Sequence, residues 1–486
     1  MTEKHIKVFF ENKKILKTKG TISMNTKIHQ YIDDHASEMV DVLKTLVAIP
    51  SVKGEPEGDM PFGKEPAKAL WKMLEICENY GFTVKNHENY VGTIDMCPEK
   101  DTQLGVLCHL DVVPEGTSGW INPPYELTLA DGKLYGRGSS DDKGPAVAVL
   151  FAMRAIKESG IDLSKNVRLL VGTDEECGSS DLRYYRAKEA LPPYVFTPDA
   201  TYPVINLEKG RISAKLVKNI KAGGEKTIVS VHGGVAVNAV PEKATAVLGG
   251  FTAEDIEALK AALPEDITLD VACDGAFTTV TANGKAAHAS APQSGKNSVT
   301  ALIRALGTMQ TDDESGAFFA SISEIFAYGE YNGESMGIKA QDAKSGALTF
   351  VFSMIDYENG AFSSAFDIRF PICENVASVR AKIENTIAKV GLDMIDFKGV
   401  EPHYVDENSE FIQKLLSVYT DFTGEKGECL AIGGGTYVHG IDGGVAFGAE
   451  FRGEDNHVHG ANEYISLDKF ILNAKIFAEA ILRICG

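Results

Sequence analysis

No apolar run in this 486-residue chain reaches the roughly 18 residues that a membrane-crossing helix requires, so no membrane association is expected. Basic charge is scarce as well: 48 lysines and arginines stand against 68 aspartates and glutamates, a formal net charge of −20. A surface of that sign repels nucleic acid, and no basic stripe with interleaved aromatics offsets it. The eight cysteines (Cys77, Cys97, Cys108, Cys177, Cys273, Cys373, Cys429 and Cys485) are scattered and form no CxxC pair. Their spacing argues against zinc fingers and a disulfide framework and suits a reducing compartment. A secretory leader is also missing, because Lys13, Lys14, Lys17 and Lys19 interrupt any apolar stretch near the start. A cytoplasmic protein is therefore expected, without tandem repeats or low-complexity tracts.

What is present is a chain with an ordinary core-forming composition, 44% hydrophobic and 24% charged, and too long for one domain of about 100–200 residues. Residues 1–23 carry six lysines and no amphipathic period, and read as a poorly packed N-terminal extension. After Met24, the residues Ile28, Tyr31, Ile32, Met39, Val42, Leu43 and Leu46 recur at helical spacing. From about 66 to 206, helices (66–80, 146–158) alternate with buried strands (105–113, 166–171), the texture of an α/β sheet covered on both faces. Between 208 and 400 short strands (211–216, 226–232, 244–249, 277–282, 348–355, 361–370) mix with helices at 253–263, 297–309 and 376–389. This is an inserted α+β lobe. Helices at 408–421 and 467–484 restore the α/β texture. The expected organisation is thus 1–23 extension, 24–207 first part of an α/β domain, 208–400 insertion, and 401–486 second part.

In open α/β sheets, ligands gather beyond the carboxyl ends of the strands. There the sequence places His109-Leu-Asp111, Asp141-Asp142-Lys143-Gly144, Thr173-Asp174-Glu175-Glu176, Pro198-Asp199 and, far downstream, His457-Val-His459-Gly-Ala-Asn462-Glu463. Each offers imidazole or carboxylate, the donors that borderline divalent metals prefer. Each also has a plainer reading. A strand-end histidine is often a hydrogen-bonded structural group. Asp141-Asp142 could open a helix, Asp174-Glu175-Glu176 could be a solvated acidic loop, and Pro198-Asp199 a turn. Their combination carries the case, because one sheet rim would gather them all. Packed carboxylates repel one another, which favours a metal site over a purely structural network.

The combination of His-Leu-Asp-Val-Val-Pro (109–114), Tyr-Gly-Arg-Gly-Ser-Ser-Asp-Asp-Lys-Gly-Pro (135–145), Thr-Asp-Glu-Glu (173–176), Asp199 and His-Gly-Ala-Asn-Glu (459–463) resembles a known family. This is the aminoacylase/carboxypeptidase G/carnosinase-type metallopeptidase family, and within it the PepV-type branch of bacterial dipeptidases. The resemblance spans nearly all of 30–486. It implies an α/β catalytic domain with a central mixed β-sheet flanked by helices and binding two metals, plus an inserted α+β lid domain. It implies two divalent ions, Zn²⁺ foremost, with Mn²⁺ or Co²⁺ also suited to these ligands. His109, Asp141 and Asp199 would hold one ion and Asp141, Glu176 and His459 the other. Asp111, two residues along the strand from His109, would orient its imidazole. Glu175 would be the general base, and Asp142 a non-ligand whose neighbouring peptide bond is often cis in the family.

In the inserted lobe, the segments around Asn238, His288 and Arg369 resemble lid motifs of the dipeptidase branch. By that likeness His288 would stabilise the oxyanion. Arg369 would pair with the substrate's C-terminal carboxylate, unless it forms an internal salt bridge. Asn238 would bond the same end or merely shape a turn. Gly434, in Gly433-Gly434-Gly435-Thr436, would lie near the substrate backbone or mark a flexible turn. His439 and His457 are read as structural. In the dipeptidase branch that the chain resembles, so large an insertion replaces a dimer partner, and the resemblance implies a monomer acting on dipeptides. Two rivals remain: an N-acyl amino-acid deacylase of the desuccinylase or acetylornithine-deacetylase type, and a non-catalytic scaffold, which should show a broken ligand set.

Overall fold

A computed structural model of the chain describes residues 26–486; the expected extension over 1–23 lies outside the described residues. The chain divides into two compact units. The first takes in the chain up to Asn206, Val405–Leu430 and Thr436–Gly486, and the second Leu207–Tyr404 and Ala431–Gly435.

In the first unit, the strands run in the order Thr83–His87, Val91–Asp95, Asn166–Gly172, Thr102–His109, Tyr194–Thr197, Gly444–Ala446 and Val204–Glu208. The four from Asn166–Gly172 to Gly444–Ala446 are parallel, and the flanking pairings are antiparallel. The sheet is therefore mixed. Side chains alternate between its faces, as strand geometry demands. Leu104, Val106, Cys108, Val167, Leu169 and Val171 join the larger core with the long helices. Leu107, Leu170 and Val195 turn to the opposite face and pack with Leu182, Tyr185 and Tyr437. Both faces being covered explains why these strands read as continuous apolar runs.

The helix Lys143–Glu158 is buried through most of its circumference, packed by Leu467–Cys485, Ala36–Val47 and Thr26–Asp34. Pro145 sits in its first turn, where a missing N–H costs nothing. Gly144 has no alternative, since a Cβ there would lie 2.0 Å from the carbonyl oxygen of Ser139. The start of this helix is thereby pressed onto the loop that carries Asp141.

The second unit is built on an eight-stranded sheet in the order Thr268–Asp274, Phe277–Asn283, Lys243–Gly249, Thr227–Gly233, Thr349–Glu358, Ala361–Phe370, Gly210–Asn219 and Asp393–Val400. Every pairing in it is antiparallel. The helices Ser298–Leu306, Ser315–Ile325 and Val376–Ile387 contribute to its apolar core. The Ala431–Gly435 segment, expected with the α/β domain, belongs to this unit.

The expected strand through 113 stops at His109. Beyond it the backbone leaves the sheet, and this changes what Asp111 can touch.

Candidate metal centre

Parallel strands end on one edge, and three of them deliver the candidate ligands. His109 is the last residue of its strand and pairs in register with Gly172, which precedes Thr173-Asp174-Glu175-Glu176. Tyr194–Thr197 leads into Pro198-Asp199. Asp141 comes from the loop before the buried helix, and His459 from a loop whose backbone at that residue is left-handed (φ 62°).

These side chains converge. The Asp141 carboxylate lies between two imidazoles, with Oδ1 2.9 Å from His109 Nε2 and Oδ2 2.9 Å from His459 Nε2. Glu176 Oε2 is 3.2 Å from His459 Nε2, and Asp199 Oδ2 is 3.7 Å from His109 Nε2. Ligand atoms of His109, Asp141 and Glu176, and of His109, Glu175 and Asp199, fall within 4.8 Å of one another. The peptide bond between Asp141 and Asp142 is cis, and Asp142 Oδ2 accepts the His109 amide at 3.0 Å.

His109 Nδ1 lies 3.0 Å from the carbonyl oxygen of Asp111. A carbonyl only accepts, so Nδ1 carries a proton, and Nε2 is the atom that would turn a lone pair to a cation once its own proton is displaced. Buried His109 Nε2 faces two carboxylate oxygens, Asp141 Oδ1 at 2.9 Å and Asp199 Oδ2 at 3.7 Å. Lone pairs aimed at one point are what a cation needs, so these residues fit a divalent metal.

The same carboxylates hold protons on the imidazoles. Burial works against charge on His109, yet bonding to Asp111, Asp141 and Asp199 raises its pKa well above the ordinary imidazole value. His459 is raised to about 11 by Asp141 and Glu176. Burial, then the negative charges of Asp199, Asp141 and Glu176, push Glu175 well above the carboxylate range against the pull of His109. Glu176 and Asp199 are raised chiefly by burial. A rim this rich in carboxylates draws protons where it could draw cations.

The Asp111 carboxylate does more than face His109, from whose Nδ1 its Oδ1 lies 3.5 Å. It accepts the amides of Glu175 (3.2 Å, Oδ1) and Glu176 (3.1 Å, Oδ2). Sequence reading assigned no role to Glu463, which is buried and organises the other half of the site. It accepts Arg137 Nη1 at 2.6 Å and the amides of Gly138, Ser140 and Asp141 at 3.2, 2.9 and 3.1 Å. Arg137 in turn bonds the carbonyl of Gly460 at 3.1 Å, and Asn456 bonds Ser140 at 2.9 Å. The Asp141 loop and the His459 loop are thereby tied together.

The second unit holds the other candidates. The Ser290 amide donates to His288 Nδ1 at 3.2 Å, and the Ser290 hydroxyl lies 2.7 Å from the same atom. Nδ1 is thus the acceptor, and the neutral ring presents Nε2–H as a donor. Burial, then Arg369, lower the His288 pKa and favour that neutral form. Arg369 forms the internal pair with Asp367, Nε to Oδ1 at 2.6 Å and Nη2 to Oδ2 at 2.9 Å, while Nη1 bonds the Gly433 carbonyl at 2.9 Å. Asn238 gives its backbone carbonyl to the Ala289 amide at 2.9 Å, beside His288. Gly434 follows the Gly433 that Arg369 holds.

The parallel strands of this mixed sheet end in imidazoles and carboxylates that fit divalent cations, the setting of a metal-dependent enzyme. Residues 105–483 match the model of peptidase family M20/M25/M40, and the chain belongs to that family. It is a metal-dependent peptide hydrolase. The Beta-Ala-Xaa dipeptidase of Lactobacillus delbrueckii subsp. lactis is 34% identical over 451 residues, covering 90% of this chain and 94% of that one. Among solved structures, the dipeptidase Dug1p of Saccharomyces cerevisiae shares the fold with a TM-score of 0.58 at 15% identity, covering 95% of this chain and 98% of that one. Human carnosine dipeptidase 1 does so with a TM-score of 0.54 at 18% identity, over 95% and 99% of the two chains.

Proposed function

We propose that this protein is a two-metal dipeptidase that hydrolyses the peptide bond of unblocked dipeptides. The observation that carries the reading is the Asp141 carboxylate set between His109 and His459, 2.9 Å from each. One carboxylate shared by two imidazoles is the arrangement a bridging ligand requires. In this reading His109, Asp141 and Asp199 hold one ion, and Asp141, Glu176 and His459 the other. Imidazole and carboxylate favour Zn²⁺, and Mn²⁺ or Co²⁺ accept the same donors. When bound, a pair of such cations polarises the scissile carbonyl and makes water acidic enough to attack at neutral pH.

Glu175 takes the proton of the attacking water and delivers it to the departing amine. Asp111 fixes the His109 ring and the amides of Glu175 and Glu176. From the second unit, read as the lid, His288 offers Nε2–H to the oxyanion. Arg369 receives the substrate's C-terminal carboxylate through the part of its fork that Asp367 and Gly433 leave open, with Asn238 and Gly434 at the same end. The relatives' names support a dipeptide over an acylated substrate. A monomer in the cytoplasm completes the reading.

The test is a panel of unblocked dipeptides set against N-acetyl and N-succinyl amino acids. Cleavage of the dipeptides alone is expected. Cleavage of only the acylated compounds would move the protein to the deacylases, and cleavage of neither would revive the scaffold reading.

A further inference from the structure

The loop that carries Glu175 and Glu176 runs from buried Thr173 and Asp174 out to the surface. Cys177 and Gly178 are exposed, and the backbone is left-handed at Gly178 (φ 106°) and Ser179 (φ 55°). Yet four consecutive amides in it are bound by carboxylates. Asp181 Oδ2 accepts Thr173 N at 2.6 Å and Asp174 N at 2.9 Å. Asp111 takes the next two, Glu175 N and Glu176 N.

Asp181 stands second in the short helix Ser180–Arg186 and is fully buried. Its Oδ2 turns back to the loop, and its Oδ1 accepts the amide of Leu182 at 2.6 Å. Tyr437, also buried, donates its hydroxyl to Asp181 Oδ2 at 2.5 Å. Gly172 makes room for both: a Cβ there would lie 1.8 Å from Tyr437 Oη and 2.4 Å from Asp181 Oδ2. The end of the 166–172 strand, the pair and the loop are therefore built against one another. Asp174, between the anchored amides, is held by Lys53 Nζ at 2.6 Å and by the Ser180 hydroxyl.

We infer that Asp181, braced by Tyr437, is a positioning residue that sets the Glu175–Glu176 segment against the sheet edge. Charge-assisted bonds from carboxylate to backbone amide are among the stronger ones a protein makes. They fix the main chain rather than one side chain, so both glutamates are set together. The kinetic part of this inference rests on the dipeptidase reading; the structural part does not.

The experiment uses full-length wild type, Asp181→Asn and Tyr437→Phe, followed by hydrogen exchange over 172–179 and by kcat and KM for a dipeptide in the presence of Zn²⁺. Asp181→Asn should raise exchange in that segment about tenfold and leave the helix 143–158 unchanged. It should lower kcat by about 10–100-fold with KM held within about twofold, the signature of a misplaced reacting group. Tyr437→Phe should move both readouts in the same direction by less, and it carries the test if Asp181→Asn does not fold. Unchanged exchange, or exchange raised equally throughout the chain, would overturn the inference. If wild type cleaves no dipeptide, the proposed function fails, and exchange alone decides: a rise confined to 172–179 upholds the positioning role.

Discussion

In the proposed reading Glu175 and Glu176 are neighbours with separate tasks. Glu176 contacts His459 at 3.2 Å. Burial and neighbouring carboxylates raise the pKa of both glutamates. A base needs a pKa near the working pH, whereas a ligand needs lone pairs facing the ion. Glu175→Gln keeps the shape and removes the proton acceptor. It should lower kcat by about 10²–10⁴-fold while equilibrium dialysis still finds wild-type affinity for Zn²⁺. Loss of metal along with activity would make Glu175 a ligand instead. At this scale the sequence was informative where donors sit in a recognisable run. His109, Asp141, Glu176, Asp199 and His459 could all be named as candidates before any geometry. Asp181, Tyr437 and Arg137 could not be given roles, because nothing near them in the chain marks their partners, which lie 8, 256 and 326 residues away. For Asp111, strand geometry led to the His109 imidazole, from which its backbone carbonyl lies 3.0 Å and its carboxylate 3.5 Å. The strand ends at His109, so the backbone carbonyl meets the ring and the carboxylate reaches the neighbouring loop.

Among elements, the buried Arg137–Glu463 pair is the main brace between the Asp141 loop and the His459 loop. Removing one partner of a buried pair leaves the other charge unpaired. Glu463→Ala should therefore destabilise the protein by about 3–5 kcal/mol, read as a lower denaturation midpoint, with Glu463→Gln losing less. A midpoint unchanged in Glu463→Ala would show that the brace is dispensable. The helix Thr26–Asp34 makes a pH-dependent contribution. Burial, then the charge of Lys475, lowers the pKa of His29 from 6.5 to about 4, with Asp33 opposing. Between those values the unfolded chain binds the proton more readily than the folded one. The contribution is present above pH 6.5 and is lost as pH falls towards 4. His29→Gln should flatten the fall in stability across that window; an identical slope would refute the assignment. Two long elements with a buried face were legible: Ala361–Phe370 runs as its sequence implied, and the helix expected at 467–484 is Leu467–Cys485. Thr83–His87, Thr268–Asp274 and Asp393–Val400 were not read as strands. They lie at sheet edges and are largely exposed, so they lack the apolar alternation that marks a half-buried strand.

The whole molecule is a large acidic chain in which, among the described residues, no helix is long and apolar enough to cross a membrane. Its eight cysteines are all free, three of them buried. Its two units use opposite sheet designs for physical reasons. The first buries both sheet faces and runs its central strands in parallel, which carries ligand-bearing loops to one edge. The second is antiparallel throughout, and its strands Lys243–Gly249 and Phe277–Asn283 alternate buried and less buried residues, as in a sheet with one covered face. In the proposed reading the first unit's sheet edge holds two cations that work together on a peptide bond. The most direct measurement is hydrolysis of alanyl-alanine by metal-depleted protein titrated with Zn²⁺. Activity absent at the start and fully restored only at about two equivalents is the expected result. Full activity without metal, or at a single equivalent, would contradict the two-metal site.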